Sequence, residues 1–198
     1  MTTQIQAVCS TPARPAALRP PFDGVTIALH WTTVLLVASL FASALMIERV
    51  DDASAARLLF QIHRSLGVTT WTLTALRLVW RRTGARLPPF PAGMGPAQRW
   101  AARLNEYALY ALLLTQPLTG LGDTLSRGRP FDLYVWTVPA LMARDKAMAQ
   151  ALHALHLWGA IALACMIGLH AAAALLHALV LRDGVFESMA PALRRKDR

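Results

Sequence analysis

Residues 151–182 read ALHALHLWGAIALACMIGLHAAAALLHALVLR, an almost wholly apolar stretch that nevertheless contains four histidines. About 20 apolar residues suffice for a helix to cross the hydrocarbon core of a bilayer, so this stretch is predicted to span a membrane. Ionisable side chains at membrane depth are costly and by default indicate function. His156 and His170 are fourteen positions apart, which places them on one helix face about 21 Å from each other. The stretch therefore predicts two stacked sites on one helix.

Composition places the chain among membrane proteins. Of its 198 residues, 55% are hydrophobic and only 16% are charged, and the charges cluster between the apolar runs. The formal net charge is +9, but the sequence offers no soluble basic domain that would bind nucleic acid. Excess arginine in loops facing the cytoplasm explains this charge better. We therefore expect contact with membrane lipid and no nucleic-acid partner.

Four apolar runs predict an all-α protein that forms a four-helix transmembrane bundle. An additional apolar patch, Leu133–Met142, is too short to span and is predicted to lie at the interface or to cover a site. The four runs are Val25–Ile47, Leu58–Trp80, Ala97–Gly122 with an amphipathic beginning, and 151–182.

Four spans place both termini on the same side of the membrane. Residues 81–103 carry five arginines and no acid, whereas the connections on the other side mix basic and acidic residues. Because basic residues mark cytoplasmic loops, both termini are predicted to be cytoplasmic. The predicted organisation is an irregular cytoplasmic segment at 1–24, the transmembrane domain at 25–182 and a basic cytoplasmic tail at 183–198.

With this topology, four histidines of the spans sort into two levels. His30 and His170 fall toward the cytoplasmic side, and His63 and His156 fall toward the outer side. Two imidazoles that face each other from different helices suit the axial coordination of a six-coordinate b-type haem. The sequence thus predicts two haem b groups, with iron held by His30 and His170 in one and by His63 and His156 in the other.

Other interpretations of the histidines stay open at this point. Single histidines serve as hydrogen-bonding residues in membrane helices. A zinc or copper site would bring ligands together within a few ångström, typically with cysteine or carboxylate partners, and would indicate a non-redox protein that binds or transports metal. A proton relay would usually include acids, and the four runs contain none beyond Glu106, at the end of the amphipathic beginning of the third. No CxxCH motif is present, so a haem would not be thioether-linked.

Arg77 and two glycines accompany the histidines. Arg77 lies fourteen residues after His63, on nearly the same helix face and at inner depth. An arginine there requires an anion, for which a haem propionate is the candidate, unless the side chain extends to the interface. Gly67 and Gly159 lie about one turn from a histidine, where a missing side chain would let a porphyrin approach. Alternatively, both are small residues at helix contacts.

These features together resemble the bacterial cytochrome b561 family over residues 22–189. The resemblance implies a multi-pass protein of the bacterial inner membrane with four helices and two non-covalent b haems. It also implies that His30, His63, His156 and His170 are the axial ligands. The segments that carry it are Ile27-Ala28-Leu29-His30-Trp31, His63 with Gly67 and Arg77, residues 130–139, and GLHAAAAL at 168–175 with a second histidine fourteen residues upstream.

The resemblance further implies a reaction. Members exchange single electrons with the quinone pool, and some are similar to superoxide oxidases, which take electrons from superoxide at the periplasmic face. His177, seven residues after His170, corresponds to a family histidine near the quinone region; the alternative is an interfacial histidine at a helix end. Superoxide would be attracted by positive potential, for which the candidates are Arg57, Arg64, Arg127 and Arg129.

We therefore expect a diheme cytochrome with superoxide:quinone oxidoreductase-type activity. The nearest alternative is a membrane electron-transfer subunit that serves a separate dehydrogenase or a periplasmic cytochrome. An alternative of another class is a non-redox tetraspan that binds or transports metal through its histidines.

Overall fold

The computed structural model describes residues 19–193 and shows four long helices in one bundle. Residues 1–18 and 194–198 lie outside the described part, and with them most of the predicted N-terminal segment and the end of the predicted tail. The helices are α1 (Gly24–Ile47), α2 (Ala53–Thr83), α3 (Pro96–Ser126) and α4 (Lys146–Leu176), followed by a π-helical turn (His177–Leu181), a short helix α5 (Val185–Met189) and a 3₁₀ turn (Pro191–Leu193).

Aspartates fix the beginnings of three of the long helices. The Asp23 carboxylate accepts the Thr26 backbone N–H at 2.9 Å, and Asp52 and Asp145 cap α2 and α4 in the same way. Because of these caps, α2 and α4 begin five residues before the predicted apolar runs. α3 begins at Pro96, whose missing N–H costs nothing in the first turn of a helix.

The predicted apolar patch between α3 and α4 forms a small β-hairpin. Strand β1 (Phe131–Leu133) pairs antiparallel with β2 (Trp136–Val138), and the turn residue Tyr134 has a φ of 52°. The Tyr134 backbone N–H donates to Ser65 Oγ at 2.8 Å, and its hydroxyl lies 2.9 Å from Thr69 Oγ1. The hairpin is therefore held against α2, a small addition to an otherwise helical protein.

The helices pack in chain order, with α1 on α2, α2 on α3 and α3 on α4. An apolar layer at mid-height combines Val37 of α1, Leu113 of α3 and Leu163 of α4. We call the end of the bundle at which α1 and α3 end the outer end, and the opposite end the inner end.

Burial is inverted relative to a soluble protein. Thr70 and Thr74 are 1% and 0% exposed, and each donates its hydroxyl to a carbonyl of its own helix. Large apolar side chains point outward instead, with Leu35, Val79 and Trp158 at least 60% exposed. Small polar residues inside and apolar residues outside are typical of helices packed in lipid.

By length and composition, two helices could cross a membrane on their own, Gly24–Ile47 and Lys146–Leu181. The helices α2 and α3 pack between them and complete the bundle. The predicted class, an all-α transmembrane helical bundle, is confirmed.

Asp23 ties three segments together at the inner end. Its carboxylate accepts the Trp80 indole N–H and the Arg86 backbone N–H, both at 3.1 Å, in addition to the backbone N–H and hydroxyl of Thr26. Partial burial raises the pKa of Asp23, but these hydrogen bonds outweigh it and hold the pKa at about 2. The ionised carboxylate therefore joins α1 to α2 and to the connection that follows α2.

Candidate functional site

Four histidines meet in two pairs inside the bundle. The ring centres of His63 and His156 are 6.2 Å apart, with their planes at 83°. The ring centres of His30 and His170 are also 6.2 Å apart, with their planes at 55°. Helices α1 and α2 supply one histidine each and α4 supplies two, about 21 Å apart along its axis. The structure thus brings together the same pairs that the sequence predicts.

The spacing of each pair suits one metal ion between two imidazoles. A metal bound by two opposed ring nitrogens, at about 2.0 Å from each, keeps the ring centres about 6 Å apart. A closed zinc site would need four ligands, and residues 19–193 contain no group of three or more His, Cys, Asp or Glu side chains that could hold a metal ion. The donor set therefore fits the axial coordination of a six-coordinate haem.

Hydrogen bonds orient the His63 ring in the outer pair. His63 Nδ1 lies 2.9 Å from Ser43 Oγ, and that hydroxyl already donates to the Leu40 carbonyl at 2.9 Å. Since its proton is engaged, Ser43 Oγ accepts from His63 Nδ1–H. The lone pair of His63 is then on Nε2, which is the arrangement that a metal ligand needs.

The His156 ring is held by one turn of α3. Its Nδ1 lies 3.0 Å from the Gln116 carbonyl oxygen, which can only accept, so Nδ1 carries the proton. In return, the Gln116 side-chain amide donates to the His156 carbonyl at 2.9 Å. Thr119 Oγ1 lies 3.1 Å from the same Nδ1. A Cβ at Gly120 would lie 2.9 Å from His156 Cε1, so the ring occupies the room that this glycine leaves.

Sequence reasoning singled out other glycines and missed this turn. A Cβ at Gly159 would lie 2.6 Å from Gln116 Oε1, and one at Gly67 would lie 4.0 Å from Pro117 Cβ. Both glycines therefore face α3, as expected for small residues at helix contacts. Their predicted role in the approach of a porphyrin stays a prediction. A glutamine in an apolar helix, four residues before a glycine, was the signal that could have identified the turn.

In the inner pair, Arg77 contacts a histidine. Its Nη2 lies 3.2 Å from His30 Nδ1, and its guanidinium lies 5.4 Å from the centre of the Tyr110 ring. The side chain thus turns into the bundle rather than toward the interface. It borders a small cavity of about 50 Å³, whose lining includes Trp80 and the ion pair of Arg81 with Glu106 at 2.8 Å.

Comparison with known proteins identifies the family. The family described as prokaryotic cytochrome b561 matches residues 21–192. The chain belongs to the prokaryotic cytochrome b561 family. Membership implies b-type haem, electron transport and a membrane location, as the sequence predicts.

Several relatives span nearly the whole chain at modest identity. Cytochrome b561 homolog 2 of Escherichia coli (strain K12) is 28% identical over 167 residues, which are 83% of this chain and 88% of that protein. The probable superoxide oxidase CybB of Yersinia pestis is 28% identical over 173 residues, 87% of this chain and 97% of that protein. Cytochrome b561 homolog 1 of E. coli (strain K12) is 28% identical over 180 residues, 88% and 98% of the two chains.

Outside the two histidine pairs, two further histidines of this cytochrome each contact a carboxylate. His177 Nδ1 lies 2.7 Å from Asp183 Oδ2 at the inner end of α4. His153 Nδ1 lies 3.2 Å from Asp123 Oδ2 at the outer end, with 62% of its side chain exposed. The predicted quinone contact, His177, therefore lies about 10 Å along α4 from the inner pair.

A cavity of about 350 Å³ opens at the outer end, beside the beginning of α4. Three cationic residues line it, and one of them, Arg127, also pairs with Asp123 at 3.0 Å. Of the other predicted superoxide attractors, Arg64 packs its guanidinium 5.4 Å from the Phe131 ring centre. The lining residues are Ser126, Arg127, Arg144, Asp145, Lys146, Ala149, Gln150 and His153.

Proposed function

We propose that this protein is a diheme b-type cytochrome that passes single electrons across the bacterial inner membrane to the quinone pool. Superoxide, which would be oxidised to dioxygen, is the preferred outer donor. The observation that carries the proposal is the pair of histidine sites, which share a ring separation of 6.2 Å and lie at opposite ends of one bundle. In this proposal both termini are cytoplasmic, so the outer end faces the periplasm.

The haem iron would supply the one-electron chemistry, and the chain's own residues would fix its ligands. His63 and His156 would hold the outer haem, and His30 and His170 would hold the inner one. The acceptors on the Nδ1 atoms of the outer pair keep each Nε2 unprotonated and fix both rings before iron binds.

Arg77 would pair with a propionate of the inner haem. Because Arg77 donates to His30 Nδ1, a neutral His30 ring carries its proton on Nε2. If His30 held iron through Nε2, its proton would lie on Nδ1, and Arg77 would give up this hydrogen bond. Its guanidinium would be available to a carboxylate, and the adjoining cavity has the size of such a group rather than of a porphyrin.

The outer cavity supports an anionic donor. Its wall includes three cationic side chains and one acid, and His153 in this wall lies one helical turn from His156. Within residues 19–193, Arg144 and Lys146 have no ion-pair partner, so their charge is available to attract superoxide. One relative is named a probable superoxide oxidase, which also supports superoxide as the donor.

His177 would contact the quinone at the inner end. Reduction of one quinone to quinol takes two protons and two electrons. Two superoxide ions would supply the electrons. The position of His177 beyond the inner histidine pair would put the quinone next to the inner haem, where it could take up one electron at a time.

The experiment uses purified holoprotein, an enzymatic source of superoxide and a short-chain quinone. We expect b-type α-bands in the reduced-minus-oxidised spectrum and quinone reduction that stops when superoxide dismutase is added. Haem reduction by dithionite without superoxide-driven quinone reduction would favour the other redox function, a subunit for a separate dehydrogenase or periplasmic cytochrome. A spectrum without b-type bands would contradict both.

A further inference from the structure

The pair formed by His177 and Asp183 lies beyond both histidine pairs of the bundle. His177 Nδ1 and Asp183 Oδ2 are 2.7 Å apart, and their side chains are 16% and 22% exposed. The other carboxylate oxygen, Oδ1, accepts the Val185 backbone N–H at 3.2 Å. Both oxygens of Asp183 are therefore engaged, and the carboxylate is fixed against the imidazole.

A change of helix type creates this contact. After Leu176 the chain passes into a π-helical turn, closed by a 2.7 Å hydrogen bond from the Arg182 backbone N–H to the His177 carbonyl. Arg182 and Gly184 then have φ values of 50° and 79°, which reverse the chain. In a continuous α-helix, residue 183 would lie about 9 Å from His177 along the helix axis, too far for this contact. π-turns and non-glycine residues with positive φ are often found at functional sites.

Among the described residues, three other charged side chains belong to the segments next to this turn. Arg19 packs its Cβ on Gly184, and its charge interacts with that of Asp183. The Arg182 Nε–H donates to the Leu179 carbonyl at 3.2 Å. Glu187 follows on α5 and has one buried carboxylate oxygen. Arg19 therefore moderates the charge of Asp183, while the hydrogen bond to the His177 ring remains.

We propose that Asp183 is a positioning residue for proton transfer to the quinone, acting through His177. Its carboxylate accepts Nδ1–H and stabilises the protonated ring, which donates from Nε2 to a quinone carbonyl oxygen. The inference rests on the proposed function, in which His177 contacts the quinone. Water at the inner end returns the proton to His177 and also protonates the second quinone oxygen. Asp183 keeps its charge throughout, as the carboxylate of a His–Asp pair does in other enzymes.

The test compares variants of the purified holoprotein with superoxide and a short-chain quinone. Asp183→Asn can still cap Val185 but lacks the charge that stabilises a protonated ring. We expect unchanged haem content and quinone affinity, a kcat about 10- to 100-fold lower, and a kcat–pH profile moved toward lower pH. Asp183→Glu should recover part of the rate. Arg182→Gln changes the same turn without touching the pair and is the matched control.

His177→Ala separates this inference from the proposed function. Quinone affinity is measured by titrating the quinone into oxidised protein, independently of turnover. If His177→Ala weakens binding while Asp183→Asn matches the wild type at every pH, the role of Asp183 is overturned and the proposed function stands. If His177→Ala changes neither binding nor rate, His177 does not contact the quinone and the role of Asp183 is overturned with it. Failure of the wild type to reduce quinone overturns both proposals.

Discussion

Gln116 and His156 are joined by two hydrogen bonds in opposite directions. The His156 ring donates from Nδ1 to the Gln116 carbonyl at 3.0 Å, and the Gln116 amide donates to the His156 carbonyl at 2.9 Å. Gln116 is 8% exposed, so neither bond has water as a ready substitute. The pair fixes both the tautomer and the orientation of a proposed haem ligand from a neighbouring helix.

Replacing Gln116 should therefore weaken the outer haem site. In Gln116→Leu the side-chain bond to the His156 backbone carbonyl is lost, whereas the Gln116 backbone carbonyl still accepts from the His156 ring. The ring is then held less firmly, because α4 is no longer tied to this turn of α3. Complete loss of an outer-shell partner typically costs 10- to 100-fold in metal affinity, so a loosened partner should cost about 10-fold. We expect faster haem loss from the outer site when the protein is incubated with apomyoglobin. Thr115→Val, on the exposed face of the same turn, should retain haem like the wild type, and equal retention by both variants would argue against this role of Gln116.

Gly120 should tolerate no side chain. The Cβ of Gly120→Ala would lie 2.9 Å from His156 Cε1, so the ring has to move, at a cost of about 1–3 kcal/mol. We expect outer haem content to fall while the inner haem is retained. Gly168→Ala is the control, because a Cβ there meets nothing within 4 Å and alanine favours a helix. Full haem content in Gly120→Ala would show that the ring is not confined by this glycine.

Features that follow from helix periodicity and from depth in the membrane could be predicted from the sequence. Features that arise from contacts between helices could not. His156 and His170 could be placed on one face of α4 because helix geometry is fixed. Gln116 and Gly120 belong to no such periodic pattern, and their role arises only because α3 packs against α4 at this point. The hairpin around Tyr134 was missed for a similar reason, since its hydrogen bonds go to α2 rather than to neighbouring residues.

Arg77 should influence the inner haem selectively. Removing its charge in Arg77→Gln takes away about 1–2 kcal/mol of stabilisation of the reduced haem at an effective dielectric constant of about 20. This corresponds to a midpoint potential lower by roughly 40–90 mV for a one-electron couple. A spectroelectrochemical titration that resolves the two haems measures it. The exposed Arg82→Gln should shift neither potential, and a shift confined to the outer haem would contradict the placement of Arg77.

Asp23 should make stability depend on pH in the acid range. Its pKa is about 2 in the folded protein, compared with 3.8 for an unperturbed carboxyl, so its contribution is complete above about pH 4 and is lost as the pH falls toward 2. Asp23→Asn cannot accept hydrogen bonds at both positions and should lower the unfolding free energy by about 1 kcal/mol at pH 7. Thermal unfolding in detergent should show this difference shrinking below about pH 4. Glu48→Gln, exposed at the other end of α1, serves as control, and a difference independent of pH would contradict the assignment.

The central claim is that each histidine pair holds one haem. The most direct measurement is haem stoichiometry by pyridine haemochrome, with the reduced-minus-oxidised spectrum, for the wild type and for His156→Ala and His170→Ala. We predict two haem b per wild-type chain, loss of only the outer haem in His156→Ala and loss of only the inner haem in His170→Ala. A wild type with one haem or none, or two variants that lose the same haem, would contradict the account.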